Sequence, residues 1–454
     1  MTLRARFLVG SLWLFVFAAA TGFWYWHTVL HGAGGDQLNM GRAARWIAWG
    51  NLAGLYAATG ALFQLLLISR ARWLERPAGL DRLTNLHIWN GRLAITALVI
   101  HVFLVTQGHA LTEIPPLGFV GQIRVFLSDW DDLQLALVAA VLLLIVGAVS
   151  FPFVRPRLKY EIWYTLHLVT YAAIALAFFH QIRYGNGLTR DIAPAVFRGY
   201  WYGLYACAFG LLLFYRVGVP LYRFVRHGFT VQSVTAENEE VTSISIQGRD
   251  LNTLPTRAGQ FVFVRFLARG FWWEKHPFSL SNYLDGKQLR LTIKKIGDFT
   301  SAIPSLPVGT RVLVDGPYGA LTADRATQPK ILLIAGGIGI TPLRVLLEAF
   351  ALEGRDIILL YANRNEKRIV FLEELARLAG QHPQPKVHVI VSHPEAWPGE
   401  RGTVDEEKLR RLVPDLAQRE VFLCGPPPMM DQVRKTLRTL GVPGSHIHFE
   451  RFRL

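Results

Sequence analysis

Six long apolar stretches occupy the first half of this 454-residue chain and leave it few ways to fold. They run over residues 7–26, 44–69, 86–106, 133–151, 162–181 and 196–217. Roughly 20 apolar residues in a helix cross the hydrocarbon core of a bilayer. Inside that core every backbone polar group must be paired within the protein, which restricts spanning chains to helices or closed barrels. Six membrane helices are therefore expected over residues 1–227. Aromatic clusters mark their ends, as at Trp24, Tyr25 and Trp26 and at Tyr200, Trp201 and Tyr202, where amphipathic rings favour the interface.

The loops set a direction. With the N-terminus inside, the inner segments carry twelve Lys and Arg against six outside, and Asp36, Glu113, Asp129, Asp131, Asp132 and Asp191 fall outside. The excess of inner cations places both termini in the cytoplasm of a multi-pass plasma (inner) membrane protein. Of the net charge of +15, residues 1–227 contribute +10 (19 Lys and Arg against 9 Asp and Glu). Much of the basic excess is topology, so no nucleic-acid partner is expected. Arg4, Arg6 and the small residues 18–20 also fit a cleaved leader. The aromatic continuation to Trp26 favours a retained first helix. Two cysteines, Cys207 and Cys424, exclude a disulfide framework and any all-cysteine metal site.

Four histidines lie inside these spans: His87 and His101 on the third, His167 and His180 on the fifth. Ionisable groups at such depth are costly and usually functional. Spacings of 14 and 13 residues separate each pair by roughly 20 Å along its helix. Both helices run from inside to outside, so His87 and His167 share an inner level and His101 and His180 an outer one. Paired imidazoles on facing helices suit axial ligation of haem. One such pair is equally well explained as ordinary core histidines, but two pairs at matched depth are not. Zinc is disfavoured because carboxylate and cysteine partners are missing from these spans. The 13-residue spacing turns its two histidines about 140° apart, so a π-bulge or bend is expected in the fifth helix. Arg92 suits either a haem propionate or a polar role of its own.

From Phe229 the texture changes to short alternating strands, which indicates a small antiparallel barrel over 228–326. From 327 onward, strands alternate with helices, as in a doubly wound α/β nucleotide-binding domain. Gly336, Gly337 and Gly339, with Thr341 and Pro342, fall at its first strand-to-helix turn, where a pyrophosphate can approach backbone and helix N-terminus. Cys424, Gly425 and Pro426 follow the last main strand, at the ligand-binding edge of such a sheet. His276-Pro277-Phe278-Ser279-Leu280-Ser281 sets an aromatic face beside hydroxyls, which suits an isoalloxazine ring, and Gly297-Asp298-Phe299-Thr300 opens a short helix.

Taken together, these residues resemble the ferric reductase and NADPH oxidase superfamily of transmembrane electron carriers, over nearly the whole chain. The resemblance implies two b-type haems on His87/His167 and His101/His180, FAD, and NADPH, with NADH as the alternative. It implies Phe278 against the flavin and Ser279 near N5. The segment 293–300, with Lys294, Gly297 and Thr300, is similar to the flavin-phosphate segment, and 315–319 to the turn closing the barrel. Arg364 stands where family members choose between NADPH and NADH, and an arginine there suits a 2′-phosphate. In the tail, Phe452 is expected to cover the flavin with Glu450 near N5, beside Cys424 of the nicotinamide motif. Val105 departs from the pattern of oxygen-reducing members, which often carry a histidine there. The acceptor at the outer face is then oxygen, a ferric or cupric complex, or a quinone or periplasmic partner protein.

Overall fold

The computed structural model describes residues 3–30, 37–39, 41–184, 195–282, 286 and 288–451. It divides into two units, the first of residues 1–78 and 82–215 and the second of 79–81 and 216–454.

The first unit is helical. Its elements are α1 (Leu3–Tyr25), α2 (Arg42–Ile68), α3 (Arg72–Ala78), α4 (Leu80–Ala110), α5 (Phe119–Asp129), α6 (Leu133–Val149), α7 (Tyr160–Tyr184) and α8 (Ala195–Leu213). Among the described residues, five helical runs are long and apolar enough to cross a membrane: Phe7–Leu30, Arg42–Ile68, Leu80–Ala110, Glu161–Arg183 and Ala195–His227. The sixth expected span, α6, is apolar apart from Gln134 but only 17 residues long. Small residues bring the helices together. A Cβ added to Gly108 of α4 would meet Ile47 of α2 at 2.5 Å, so only glycine permits that approach. Asn90 of α4 is buried and ties three helices: it donates to the Gly60 carbonyl (2.8 Å) and Gln64 (3.1 Å) and accepts from Trp13 (3.2 Å).

In the second unit α9 (Val219–His227) precedes two three-stranded antiparallel sheets. The strands are β1 (Thr230–Ala236), β2 (Val241–Gln247), β3 (Phe261–Phe266), β4 (His276–Ser279), β5 (Gln288–Lys294) and β6 (Val312–Tyr318), in orders β1-β2-β5 and β4-β3-β6. Bridges Thr230–Arg311 and Leu280–Leu291 join the sheets around one apolar core containing Ile244, Val264, Phe266 and Leu291. β4 holds Pro277 opposite Phe263. Proline is tolerated there because β4 is an edge strand and owes no hydrogen bond on its outer side. The short α10 (Asp298–Ala302) follows β5.

The rest is a six-stranded parallel sheet, ordered β10-β9-β8-β7-β11-β12. Its strands are β7 (Lys330–Gly336), β8 (Asp356–Asn363), β9 (Pro385–Val391), β10 (Glu400–Arg401), β11 (Glu420–Cys424) and β12 (Ile447–Phe449). The helices are α11 (Ile340–Leu352), α12 (Leu372–Gln381), α13 (Glu406–Leu412) and α14 (Pro427–Thr439). Alternate residues of β7 feed opposite cores. Ile331, Leu333 and Ala335 pack with α11 and α12, and Leu332 and Ile334 with α13 and α14. Both faces are covered, so the strand reads as a continuous apolar run.

Candidate functional site

All four membrane histidines line one cavity of about 1320 Å³ in the helical unit. At the inner level the His87 and His167 ring centroids are 5.9 Å apart, with planes inclined by 62°. A metal held between two imidazole nitrogens requires centroids roughly 6 Å apart, counting about 2 Å for each metal–nitrogen bond. The spacing therefore fits a bis-histidine iron. Trp163 lies 5.0 Å from the His167 ring and donates to Ser150 Oγ (3.2 Å), itself 3.4 Å from His167 Nδ1. Among the described residues, no three His, Cys, Asp or Glu side chains gather as an ion cage. That chemistry suits haem rather than zinc.

At the outer level His101 Nδ1 lies 2.8 Å from the Gly50 carbonyl. A carbonyl can only accept, so Nδ1 carries the proton and Nε2 is left with the lone pair a metal needs. Gly54 makes room: a Cβ there would meet His101 Nδ1 at 2.6 Å. His180 lies beside Gln181, whose Oε1 accepts from Trp201 (3.2 Å) and Tyr205 (2.9 Å), all lining the same cavity. Nδ1 of His87 and of His180 are both buried.

The expected π-bulge in the fifth helix is absent: α7 is α-helical from Tyr160 to Tyr184. The cavity turns instead. Trp163, His167 and Thr170 line its inner end and Ala177, His180 and Gln181 its outer end. At about 100° per residue these two sets centre on directions roughly 50° apart, so the lining face drifts around a regular helix. Arg92 and Arg155 both line the cavity. Arg92 lies over Trp89 (5.1 Å) and Arg155 over Trp163 (4.4 Å). His27 and His109 line it as well, and His109 packs edge-on against Phe126 and Trp130. His31 lies outside the described residues. Gly50, Gly54, Ser150, Arg155 and Gln181 escape sequence reading, because each matters only through a helix distant in the chain.

In the barrel, His276 packs on Phe299 at 4.0 Å and bonds Glu274 (2.6 Å). Pro277 and Phe278 are half-buried and Ser279 is buried. Ser281 is fully buried and shares hydrogen bonds with the Arg290 carbonyl (3.1 Å) and Thr292 (2.8 Å). Lys294 pairs with Glu240 at 3.3 Å. Thr300 Oγ1 accepts from the amides of Ile296 (2.8 Å) and Gly297 (3.0 Å), closing the turn before α10. Asp315 is buried between Lys275 and the Tyr318 hydroxyl (2.5 Å).

In the nucleotide domain the glycine motifs pack against each other. A Cβ on Gly339 would meet the Cys424 carbonyl oxygen at 2.3 Å, one on Gly425 the Gly336 Cα at 3.0 Å, and one on Gly336 the Met429 Sδ at 2.4 Å. Gly337 differs, with φ of +52° and open space beside it. Three glycines thus serve close backbone approach, and Gly337 leaves a concave, unobstructed backbone for an anion. Thr341 and Pro342 are buried at the start of α11, with Thr341 Oγ1 donating to the Ile338 carbonyl (3.0 Å). Pro426 opens α14. Arg364 is exposed just beyond β8. Burial, reinforced by Glu450, pushes the Cys424 thiol well above its ordinary range, so it stays protonated. Glu450 is buried and accepts from the Ala320 amide at 3.4 Å. Phe452 lies outside the described residues.

Three family models cover these parts: a ferric reductase like transmembrane component over residues 53–178, a FAD-binding domain over 226–322 and an oxidoreductase NAD-binding domain over 333–435. Together these models give the chain a ferric-reductase-like transmembrane part followed by a FAD-binding and a NAD-binding domain. Its reductase half is similar to known proteins. The glycine betaine monooxygenase reductase subunit of Chromohalobacter salexigens is 32% identical over 154 residues, covering 33% of this chain and 42% of that one. A flavohemoprotein of Rhodopirellula baltica is 31% identical over 246 residues, covering 49% and 60%. Among solved structures, the FAD/NAD-binding domain of the nitric oxide dioxygenase from Vibrio cholerae is 25% identical, with a TM-score of 0.44, over 49% of this chain and 97% of that one. The chain spans about 42% to 64% of the length of the first curated relatives it matches.

Proposed function

We propose that this chain is a transmembrane oxidoreductase that moves electrons from NADPH on the inner side to an acceptor at the outer face. The 5.9 Å spacing of the His87 and His167 rings carries this reading, because it sets two imidazoles at iron-ligating distance within the membrane part. His87 with His167 and His101 with His180 would hold two b-type haems through their imidazole nitrogens. Phe278, Ser279 and Thr300 would hold FAD, and residues 336–342, Arg364 and 424–426 would hold NADPH. When bound, these groups convert a two-electron donor into single-electron transfer across the bilayer. The protein binds, orients and insulates them; no side chain is required as a general base. The residues 228–326 form the flavin domain and 327–454 the nucleotide domain.

In this reading α6 is the sixth membrane helix. Its 17 residues reach about 25 Å, at the short end of what spans. Both termini are cytoplasmic and the membrane is the plasma (inner) membrane. Arg155, on the loop after α6, is better placed than a mid-span arginine to balance acidic haem edges on the inner side.

The test is a dithionite difference spectrum with haem and flavin stoichiometry on the purified protein. Two b-type haems per FAD are expected. His101→Leu should leave one haem and abolish transfer across the membrane, while reduction of a soluble dye by NADPH persists. Two haems retained in that variant would overturn the ligand assignment. Superoxide-dismutase-sensitive reduction of cytochrome c, ferrozine-detected Fe(II), or oxidation of NADPH only with an added quinone or partner protein then separates the acceptors.

A further inference from the structure

The loop between β3 and β4 exposes residues that a soluble barrel would hide. Trp272 and Trp273 stack on each other at 3.7 Å and 28°, and are 46% and 71% exposed. Leu267, where the loop begins, and Arg269 are exposed as well. The loop is nevertheless well anchored, because Phe271 is buried against Phe266 and Phe299 in the barrel core. The tryptophan pair is thus held outward by a fixed neighbour.

A second apolar surface joins it. On α9, Pro220, Arg223 and His227 face the protein, while Leu221, Tyr222 and Val225 are exposed, Val225 by 65%. This helix ends the continuous run Ala195–His227, 33 residues long. Such a run extends about 50 Å, against roughly 30 Å of hydrocarbon core, so its last turns emerge in the headgroup layer. Arg311 connects the two surfaces: its guanidinium lies 4.3 Å over the Phe224 ring, and its carbonyl accepts from the Leu267 amide at 2.9 Å. Exposed Arg226, Arg249, Arg269 and Arg311 supply positive charge around the patch.

We propose that Trp272 and Trp273, with the outer face of α9, form one interfacial patch that seats the flavin barrel on the anionic lipid surface of the membrane's inner leaflet. Tryptophan prefers that layer because its ring is apolar and its N–H is wet. Arginines near an anionic lipid surface add electrostatic attraction that fades within a Debye length. A protein partner would fit exposed tryptophans too, but α9 is the continuation of a membrane helix, so lipid is within reach of the patch whatever else binds.

The experiment uses the full chain in nanodiscs. An environment-sensitive fluorophore is placed by Trp273→Cys in a Cys207→Ser background, with Lys435→Cys on exposed α14 as the control. The label at 273 should be quenched by headgroup-level spin-labelled lipid at least about threefold more than the label at 435. That quenching should weaken when phosphatidylserine is replaced by phosphatidylcholine. Equal, water-like behaviour at both positions would overturn the proposal. So would a blue-shifted label at 273 that lipid quencher does not reach, which would assign the patch to a protein contact.

Discussion

His87 and His167 meet across the membrane cavity with ring centroids 5.9 Å apart, although 80 residues separate them in the chain. α7 is α-helical throughout Tyr160–Tyr184. The packing of α6 on α7 brings Ser150 beside His167, where it also accepts from Trp163, one turn earlier on α7, and α4 supplies His87 opposite.

The outer site depends on Gly54. Gly54→Ala should improve intrinsic helix propensity by about 1 kcal/mol, yet its Cβ would meet His101 Nδ1 at 2.6 Å and displace the ring. Haem content is expected to fall towards one per chain with helicity and melting temperature retained. Gly203→Ala, where no atom lies within 4 Å, should change neither. Pyridine haemochrome assay with circular dichroism checks both.

The glycines of the nucleotide domain should separate by role. Gly339→Ala drives a Cβ into the Cys424 carbonyl and should destabilise the domain by about 1–3 kcal/mol, typical of overpacking. Gly337→Ala meets no atom but sits at φ +52°, and should lose about 1 kcal/mol from backbone strain while weakening nucleotide binding more than stability. Denaturant melts together with NADPH titration distinguish the two.

Arg364→Ala should raise the KM for NADPH by on the order of tenfold and leave that for NADH nearly unchanged, as expected for one charge-assisted hydrogen bond to a phosphate. Parallel steady-state kinetics with both nucleotides read this out. Equal losses for both would assign Arg364 to a structural role.

Acid should loosen the nucleotide domain through Asp415. Burial pushes its carboxyl up, but hydrogen bonds from Arg419 (2.6 Å) and Lys330 (2.9 Å) prevail and bring it to about 2. A carboxyl lowered on folding stabilises the protein above its unfolded value of about 4 and loses that contribution as pH falls towards 2. Asp415→Asn should therefore be less stable than the parent at pH 6 and equal to it near pH 2. Melts across that range measure the difference.

Much of the soluble half was legible because strand periodicity and glycine-rich turns are local signals. β1, β2, β3, β5 and the main parallel strands fall where alternation or apolar runs place them. β4 was hidden by Pro277, which is permitted only because tertiary pairing makes that strand an edge, and β6 was hidden because residues 315–319 read as a turn. In the membrane half the histidine pairs stood out, since ionisable groups are expensive in lipid. Their helix geometry did not, because a 3.6-residue period says nothing about how a cavity winds around it.

Sequence alone singled out the segments apolar enough to enter a bilayer and the four histidines that lie within them. Those properties follow from the cost of transferring single side chains and from spacing along one helix. Only the tertiary structure decided that His101 is oriented by Gly50, that Gly54 clears its ring, and that Gly339 packs closely on Cys424. Each of these is a close contact between segments far apart in the chain, and its energy depends on distances of a few tenths of an ångström that no local pattern encodes.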